Sequence, residues 1–279
     1  MRVFKIIIIV LSSIILLISL SISISYFNQS ARERAEFWYI MINFDRQGSV
    51  WQQWVLKKSI QADPTFYKGY MQKSVAFNKK GQYLEGFRLL NKAVEISPIE
   101  NLGYRGFVKL YMLHDYNGAI EDFLRLDLLT PEVTDAPWGE DIYHVIGLSY
   151  QQLGELDSAQ KYFNKSILEK TKLIGEEWID VKTFLYFGIV EYELRNYKEA
   201  IILFDKAINY SQTFSEAYYY RGLTYQKLNN SIKSCDDLDS SYSYFTKGYY
   251  ISNPYYEMPN QIYLSDISNS MDSVCLNKQ

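Results

Sequence analysis

The chain has 279 residues, of which 48% are hydrophobic and 22% are charged, and its formal net charge at pH 7 is -3. This composition excludes a disordered chain, which would be poorer in hydrophobic residues, and a disulfide-rich scaffold, because only two cysteines are present. It also excludes a generally basic nucleic-acid binder, since no excess of Lys and Arg is available to displace counterions from phosphates.

The first element is an apolar run over residues 6–25, which carries no charge at any of its 20 positions. A helix of this length rises about 1.5 Å per residue and spans roughly 30 Å, the thickness of a bilayer hydrocarbon core. We therefore predict a transmembrane signal-anchor helix at 6–25, preceded by a short basic N-terminus at 1–5 and followed by a linker at 26–32. A cleaved signal peptide is the alternative, because small residues at 21–25 could serve as a cleavage site.

The orientation of this segment depends on a small difference in charge. Lys and Arg are equally frequent near its two ends, so only the free amino group favours a cytoplasmic N-terminus. The sequence thus predicts a single-pass membrane protein whose C-terminal domain is extracytoplasmic, and periplasmic if the source is a Gram-negative bacterium. If the segment is cleaved, the product would be secreted or periplasmic.

Most of the remaining chain repeats with a period close to 34 residues. Pro64, Pro98 and Pro131 are 34 and 33 residues apart, and each follows an apolar, helix-like stretch. Within each unit the apolar residues recur every three or four positions, which places them on one face of a helix. Pairs such as Lys80-Gly81 and Asn229-Asn230 separate two such helices and allow a tight reversal. Because one helix pair cannot bury its own apolar face, the sequence predicts stacked helical hairpins.

These repeats resemble the tetratricopeptide repeat family. Residues 143–167 and 184–208 are similar to the family along almost their whole length. Residues 70–98, 104–123 and 217–238 are also similar, and a degenerate first copy precedes them. The resemblance implies an all-α fold, a right-handed α-solenoid of helix-turn-helix repeats, here preceded by one transmembrane helix.

The expected domain organisation follows from this resemblance. About six repeats occupy residues 33–248, with boundaries at 33–66, 67–100, 101–135, 140–174, 181–214 and 215–248. Residues 249–279 then form an aromatic loop and a C-terminal capping helix, which Asn260 could cap and whose apolar face contains Leu264, Ile267, Met271 and Val274.

The two cysteines, Cys235 and Cys275, lie in the last repeat and in the terminal helix. A disulfide between them is possible in an oxidising compartment. Two unpaired thiols are slightly favoured, because the spacing alone does not establish that the residues are close.

Residue patterns typical of catalysis are missing from the sequence. It contains neither a phosphate-binding glycine-rich loop with its lysine nor a His-Glu-x-x-His zinc motif. Its two histidines, His114 and His144, are better explained as surface or groove residues than as catalysts. We therefore predict a protein that is not an enzyme, with no catalytic residue, no metal site and no cofactor.

The family resemblance implies a binding groove lined by the first helix of each repeat. The residues that it places there are His144, Leu148, Gln151, Lys182, Leu185, Ile189, Tyr192, Glu216, Tyr219, Leu223 and Gln226. Such a surface is aromatic and apolar with few charges, and it suits an extended or helical peptide. Met71 and Val75 occupy two positions at which some relatives carry a clamp for a terminal carboxylate, so chaperone-tail binding is not expected.

The predicted function is a non-catalytic scaffold or adaptor, tethered to a membrane, that binds a protein or peptide partner in this groove. The alternative is a groove that binds a small molecule or glycan through its tyrosines, as an accessory to an envelope enzyme or uptake system.

Overall fold

The computed structural model describes residues 2–275, together with part of the side chains of the first helix. Residue 1 and residues 276–279, which belong to the predicted N-terminus and C-terminal region, lie outside the described residues. Fourteen α-helices and no strands occur in the described part of the chain, which confirms the predicted all-α repeat fold. The helices are α1 Arg2–Asn28, α2 Ala31–Ile40, α3 Val50–Ala62, α4 Tyr67–Lys79, α5 Tyr83–Ile96, α6 Pro98–Val108, α7 Tyr116–Leu129, α8 Ile142–Gln152, α9 Leu156–Ile174, α10 Val181–Glu193, α11 Tyr197–Tyr210, α12 Ser215–Lys227, α13 Ser231–Thr246 and α14 Leu264–Cys275.

Helix α1 is long and apolar enough to cross a membrane, judged by length and composition. Its stretch Val10–Asn28 has a mean hydropathy of 2.1, and none of the side chains described in that stretch is buried within the protein.

The chain divides into two compact units, residues 1–101 and residues 102–279. In the first unit, α2 packs on α3 and α4 packs on α5. Ser30 begins α2 with a capping box, in which its hydroxyl accepts from the Glu33 amide while the Glu33 carboxylate accepts from the Ser30 amide. The Ser59 hydroxyl of α3 donates to the carbonyl of Ala35 in α2 at 2.8 Å, deep in the contact between the two helices.

In the second unit, each first helix approaches its partner closely at a glycine. A Cβ atom on Gly188 of α10 would lie only 2.5 Å from Cε1 of Phe204 in α11, so the absence of a side chain lets the aromatic ring pack against the helix. Gly106 meets Phe123 in the same way between α6 and α7. This glycine–aromatic contact recurs because the sequence repeats, and it sets the distance between paired helices.

Residues 249–263 follow α13 as a non-helical stretch, which we name the C-terminal segment. Helix α14 begins after it at Leu264 and not at Asn260, and the Asp266 carboxylate accepts from the Tyr263 amide at 2.8 Å at this helix start. Ile267 and Val274 of α14 are buried. A disulfide joins Cys235 of α13 to Cys275 of α14, in place of the unpaired thiols that the sequence slightly favoured.

Candidate functional site

Three side chains from consecutive first helices donate hydrogen bonds to the C-terminal segment. The amide of Gln152, at the end of α8, donates to Oδ1 of Asn260 at 2.8 Å. The Tyr186 hydroxyl of α10 donates to the carbonyl of Pro259, and the Tyr220 hydroxyl of α12 donates to the carbonyl of Asn260, each at 3.2 Å. The segment therefore lies across α8, α10 and α12, along the side that these helices share.

Tyr186 and Tyr220 are equivalent positions of the repeat, since each lies two residues before the close-packed glycine of its helix, whereas Gln152 is the last residue of α8. Equivalent positions of stacked repeats project to the same side of the array. The two tyrosines and the nearby end of α8 thus supply one donor from each of three helices, and two of the three bonds go to backbone carbonyls rather than to side chains. We call Gln152, Tyr186 and Tyr220 the donor ladder.

A second contact holds the ring of Tyr256. Its centroid lies 5.2 Å from that of Tyr111 and 5.9 Å from that of Phe107, with an edge-to-face arrangement against Phe107. Aromatic pairs at these distances contribute about 0.5–1.5 kcal/mol each beyond the area that they bury. Two residues further along the segment, Met258 is buried as well. The segment is therefore held by aromatic packing at one point and by the donor ladder at the next.

The start of the segment is fixed by Glu216, the second residue of α12. One carboxylate oxygen, Oε1, accepts from the Ile251 amide at 2.6 Å, while Oε2 is buried without a hydrogen-bond partner. Burial raises the pKa of Glu216 to about 7, although the bond from Ile251 acts in the opposite direction. At neutral pH this carboxyl group is consequently close to half protonated.

A group of charged and polar side chains lies beneath the Tyr256 ring. The Glu140 carboxylate accepts from the Tyr111 hydroxyl at 2.6 Å and pairs with Lys182, which is also 3.4 Å from Asp180. Burial acts to raise the pKa of Glu140, but the charges of His144 and Lys182, with the hydrogen bonds from Lys182 and Tyr111, outweigh burial and hold that pKa below its usual value. The carboxylate is thus ionised, and its two oxygens are both engaged.

His144 of α8 is buried beside this group. Its Nδ1 lies 3.0 Å from the Thr183 hydroxyl, and its Nε2 has no hydrogen-bond partner. Burial lowers the pKa of His144, although the neighbouring Glu140 carboxylate acts in the opposite direction. The other histidine, His114, is exposed in the turn before α7 and has the left-handed φ of 53°.

The structure buries much of the surface that the sequence assigned to an open groove. The buried members of the predicted set are His144, Leu148, Gln151, Leu185, Ile189 and Glu216. The partly exposed members are Lys182, Tyr192, Tyr219, Leu223 and Gln226. Of the whole set, Glu216 contacts the C-terminal segment through a hydrogen bond, and Gln226 reaches Ser273 of α14 at 3.5 Å.

The sequence reasoning missed the donor ladder by one position in each repeat. Gln152, Tyr186 and Tyr220 directly follow Gln151, Leu185 and Tyr219, which had been assigned to the groove. A usable signal was present for two of them, because a tyrosine recurs at the same position in the two successive repeats that contain α10 and α12. Nothing in the repeat pattern indicates that residues 249–263 would be its partner.

The fold defines a class, the helical-repeat proteins built from stacked pairs of helices. Comparisons with known proteins agree with this class and specify it. Residues 140–170 match the family model described as tetratricopeptide repeat. A TPR repeat-containing protein of Methanocaldococcus jannaschii is 28% identical over 182 residues, which are 63% of this chain and 30% of the relative. The chain thus spans about a third of the length of that curated relative.

Solved structures show the same fold at low sequence identity. PilW, described as a widely conserved type IV pilus biogenesis factor, has a TM-score of 0.61 at 11% identity, covering 76% of this chain and 94% of its own. YrrB, described as a TPR protein with an unusual peptide-binding site, has a TM-score of 0.52 at 17% identity, covering 68% and 91%. The chain therefore contains a match to the tetratricopeptide repeat at residues 140–170 and has the fold of the solved tetratricopeptide repeat structures.

Proposed function

We propose that this protein is a non-catalytic scaffold, held at a membrane by α1, that binds a partner protein through a peptide in the groove of its second unit. Tetratricopeptide repeat proteins are generally non-catalytic scaffolds, and the fold supports protein–protein interaction in general. The peptide-binding site in the description of YrrB is a property of that protein, and it supports the same kind of ligand here.

The observation that carries the proposal is the donor ladder on Pro259 and Asn260. Tyr186 and Tyr220 bond to backbone carbonyls, which every peptide offers, so these contacts do not depend on the sequence of the bound chain. The C-terminal segment is a non-helical peptide, with a turn at Pro259-Asn260, already seated on this ladder. A partner peptide of similar chemistry would use the same donors, and it would take the place of the segment.

The seat of Tyr256 specifies what such a peptide should contain. An aromatic ring must fill the space between Phe107 and Tyr111, three residues before the pair of carbonyls that the ladder holds. The preferred ligand is therefore an extended segment with an aromatic residue followed at the third position by a turn such as Pro-Asn. Aromatic anchors in preformed apolar seats are the contacts that carry most binding energy in peptide complexes.

The disulfide supports an extracytoplasmic location for the second unit. Disulfides persist in oxidising compartments and are rare in the cytosol. A single apolar helix at the start of the chain, with the disulfide-bonded part following it, is the arrangement of a protein anchored by its N-terminus and exposed outside the cytoplasm.

The test of groove binding uses photo-cross-linking of the tagged full-length protein in native membranes. A benzophenone amino acid replaces Tyr220, which lies on the donor ladder, or Tyr242, which is exposed on α13 and serves as the matched control. We expect one defined adduct of higher mass from position 220 and none from position 242. An adduct from position 242 alone would place the partner elsewhere, and the groove proposal would be wrong.

The anchor is tested separately by flotation of membranes after alkaline extraction. Wild-type chain should remain with the lipid fraction, whereas the double variant Leu16→Arg/Leu17→Arg should be released, because each charge at the centre of a spanning helix costs about 2.5–3.5 kcal/mol. Release of the wild-type chain under the same conditions would show that α1 is not an anchor.

A further inference from the structure

Exposed apolar side chains cluster in the first unit where α2 ends and α3 begins. They lie on the end of α2, on the short 3₁₀ turn Met41–Phe44 and on the first turns of α3. Val50 is 88% exposed, Phe44 74% and Ile40 61%. The indole of Trp51 donates to the Met41 carbonyl at 3.3 Å, which holds the start of α3 against this turn. We name Ile40, Phe44, Val50, Trp51 and Trp54 the aromatic surface.

An unbroken series of aromatic contacts connects this surface to the end of α1. The Trp38 indole donates to the Tyr26 hydroxyl at 2.8 Å, and Tyr26 is in the last turn of α1. Trp38 in turn packs edge-on against Trp54, with ring centroids 5.3 Å apart, and Trp54 lies 5.3 Å from Trp51. The aromatic surface therefore begins where the apolar helix ends, within the same compact unit.

The chemistry of these side chains is that of a membrane–water interface. Tryptophan and tyrosine have an apolar body and a polar tip, and they concentrate at the level of lipid headgroups. Trp51 and Trp54 each keep about two-fifths of their surface exposed. The Lys58 ammonium lies 5.7 Å from the Trp54 ring, so a cation is available at the edge of the apolar patch, where phosphate groups would be found.

We infer that the aromatic surface is a second membrane contact, which sits in the headgroup region of the same bilayer that α1 crosses. Burying its exposed apolar area gains about 25 cal/mol per Å². The occupant is a lipid surface rather than a protein partner, because the patch is continuous with α1 and shares its exposed apolar character. This inference rests on the proposed anchoring role of α1.

The test places a spin label on either of two exposed apolar positions of the first unit. Val50→Cys reports on the aromatic surface, and Leu84→Cys, at a position 92% exposed on α5, is the matched control. The native cysteines are joined to each other and do not take the label. The full chain is reconstituted in phosphatidylcholine vesicles, and the accessibility of each label to oxygen and to a water-soluble nickel complex is measured by electron paramagnetic resonance.

We expect the ratio of oxygen to nickel accessibility to be several-fold higher at position 50 than at position 84. Adding Phe44→Asp, at an exposed site, should lower the ratio at position 50 towards that of the control without changing the circular dichroism spectrum. Equal aqueous accessibility at both positions, in protein that still floats with the vesicles, overturns the inference and leaves the anchor standing. Protein that does not float at all shows that the anchor itself is wrong, and the inference fails with it.

Discussion

Helices α4 and α10 occupy the same place in their repeats but differ in how they are buried. Each has 13 residues and each is the first helix of a pair. In α10 the nine consecutive residues from Thr183 to Glu191 are all buried, whereas five residues of α4 are buried and they are interrupted by partly exposed ones. A helix buried on every side needs a neighbour on every side. For α10 that additional neighbour includes the C-terminal segment, which bonds to Tyr186.

The comparison shows that the repeat determines the pairing of helices, while the sequence of each first helix determines whether its outer side is covered. In α10 the positions corresponding to Met71 and Val75 of α4 are Leu185 and Ile189, both buried. The position before Ile189 is Gly188, which admits the ring of Phe204, whereas α4 has Ser74 there. A covered first helix can therefore be distinguished from an uncovered one by its content of apolar residues on all sides.

The largest expected effect comes from releasing the C-terminal segment and α14, which together we call the cover, from the first helices. Reduction of the disulfide opens a loop with a sequence separation of 40 residues, and loop-closure entropy for this length predicts a loss of about 3–4 kcal/mol in the free energy of unfolding. Hydrogen exchange, followed by mass spectrometry with and without reductant, should become faster in α10 and stay unchanged in α4. A double variant Cys235→Ala/Cys275→Ala should lose the response to reductant; equal acceleration in both helices would contradict the comparison.

The pH dependence of stability provides a second test at the same site. Burial raises the pKa of Glu216 from its ordinary value of 4.5 to about 7, so the folded protein keeps a proton that the unfolded chain releases. Stability from this group is fully present below the unfolded pKa and is lost as the pH rises through the folded pKa. Its contribution should fall by about 2–3 kcal/mol between pH 4.5 and 7 and change little above that range.

The control for this effect is Glu216→Gln, which keeps an oxygen acceptor for the Ile251 amide but cannot titrate. The difference between wild type and variant, obtained from urea unfolding at several pH values, isolates Glu216 from His144 and the other ionisable groups. If the difference in free energy of unfolding between wild type and variant does not vary between pH 5 and pH 8, the C-terminal segment does not bury this carboxyl group.

A smaller effect is expected from filling the close contact beneath α10. Gly188→Ala places a Cβ atom 2.5 Å from Phe204, so the ring or the helix must shift, at a cost of about 2 kcal/mol. Gly147→Ala is the matched control in α8, where the nearest atom of Phe163 would be 3.1 Å away. The midpoint temperature of thermal unfolding should decrease clearly more for Gly188→Ala than for Gly147→Ala. Equal decreases would mean that the distance from the added Cβ atom to the facing ring does not determine the cost.

The smallest effect concerns a single bond of the donor ladder. Tyr186→Phe removes the hydroxyl that bonds to Pro259 and leaves a buried carbonyl with one partner fewer, at a cost of about 1 kcal/mol. Tyr242→Phe removes an exposed hydroxyl and should cost almost nothing. Chemical denaturation of the two variants gives the comparison, and a neutral Tyr186→Phe would indicate that water replaces the bond.

The repeat fold was predictable from the sequence because it depends on local and recurring signals. Spaced prolines, reversal residues such as Gly81 and Asn229, and a small residue facing an aromatic one occur in unit after unit. Gly81 and Asn229 do adopt left-handed φ values of 72° and 57° between paired helices, as such turns require. Each of these signals concerns residues within about 34 positions of each other.

The contacts of the C-terminal segment were not predicted, for two physical reasons. Adjacent residues on a helix point about 100° apart, so Leu185, one position before Tyr186, is a buried side chain that does not bond to the segment. The second reason is that the C-terminal segment occurs once. It has no repeat to indicate its place, and Asn260 is separated from its partner Gln152 by 108 positions.

The order of synthesis gives the C-terminal segment a further role. Ribosomes synthesise the chain starting at its N-terminus, so the helices of the second unit emerge before the residues that cover them. Cys235 emerges 40 residues ahead of Cys275. During that interval the apolar outer side of α10 is bare, and it is a surface that chaperones recognise and that promotes aggregation. Packing of the C-terminal segment on α10, followed by formation of the Cys235–Cys275 disulfide, is thus the step after which the nascent protein no longer exposes this apolar surface.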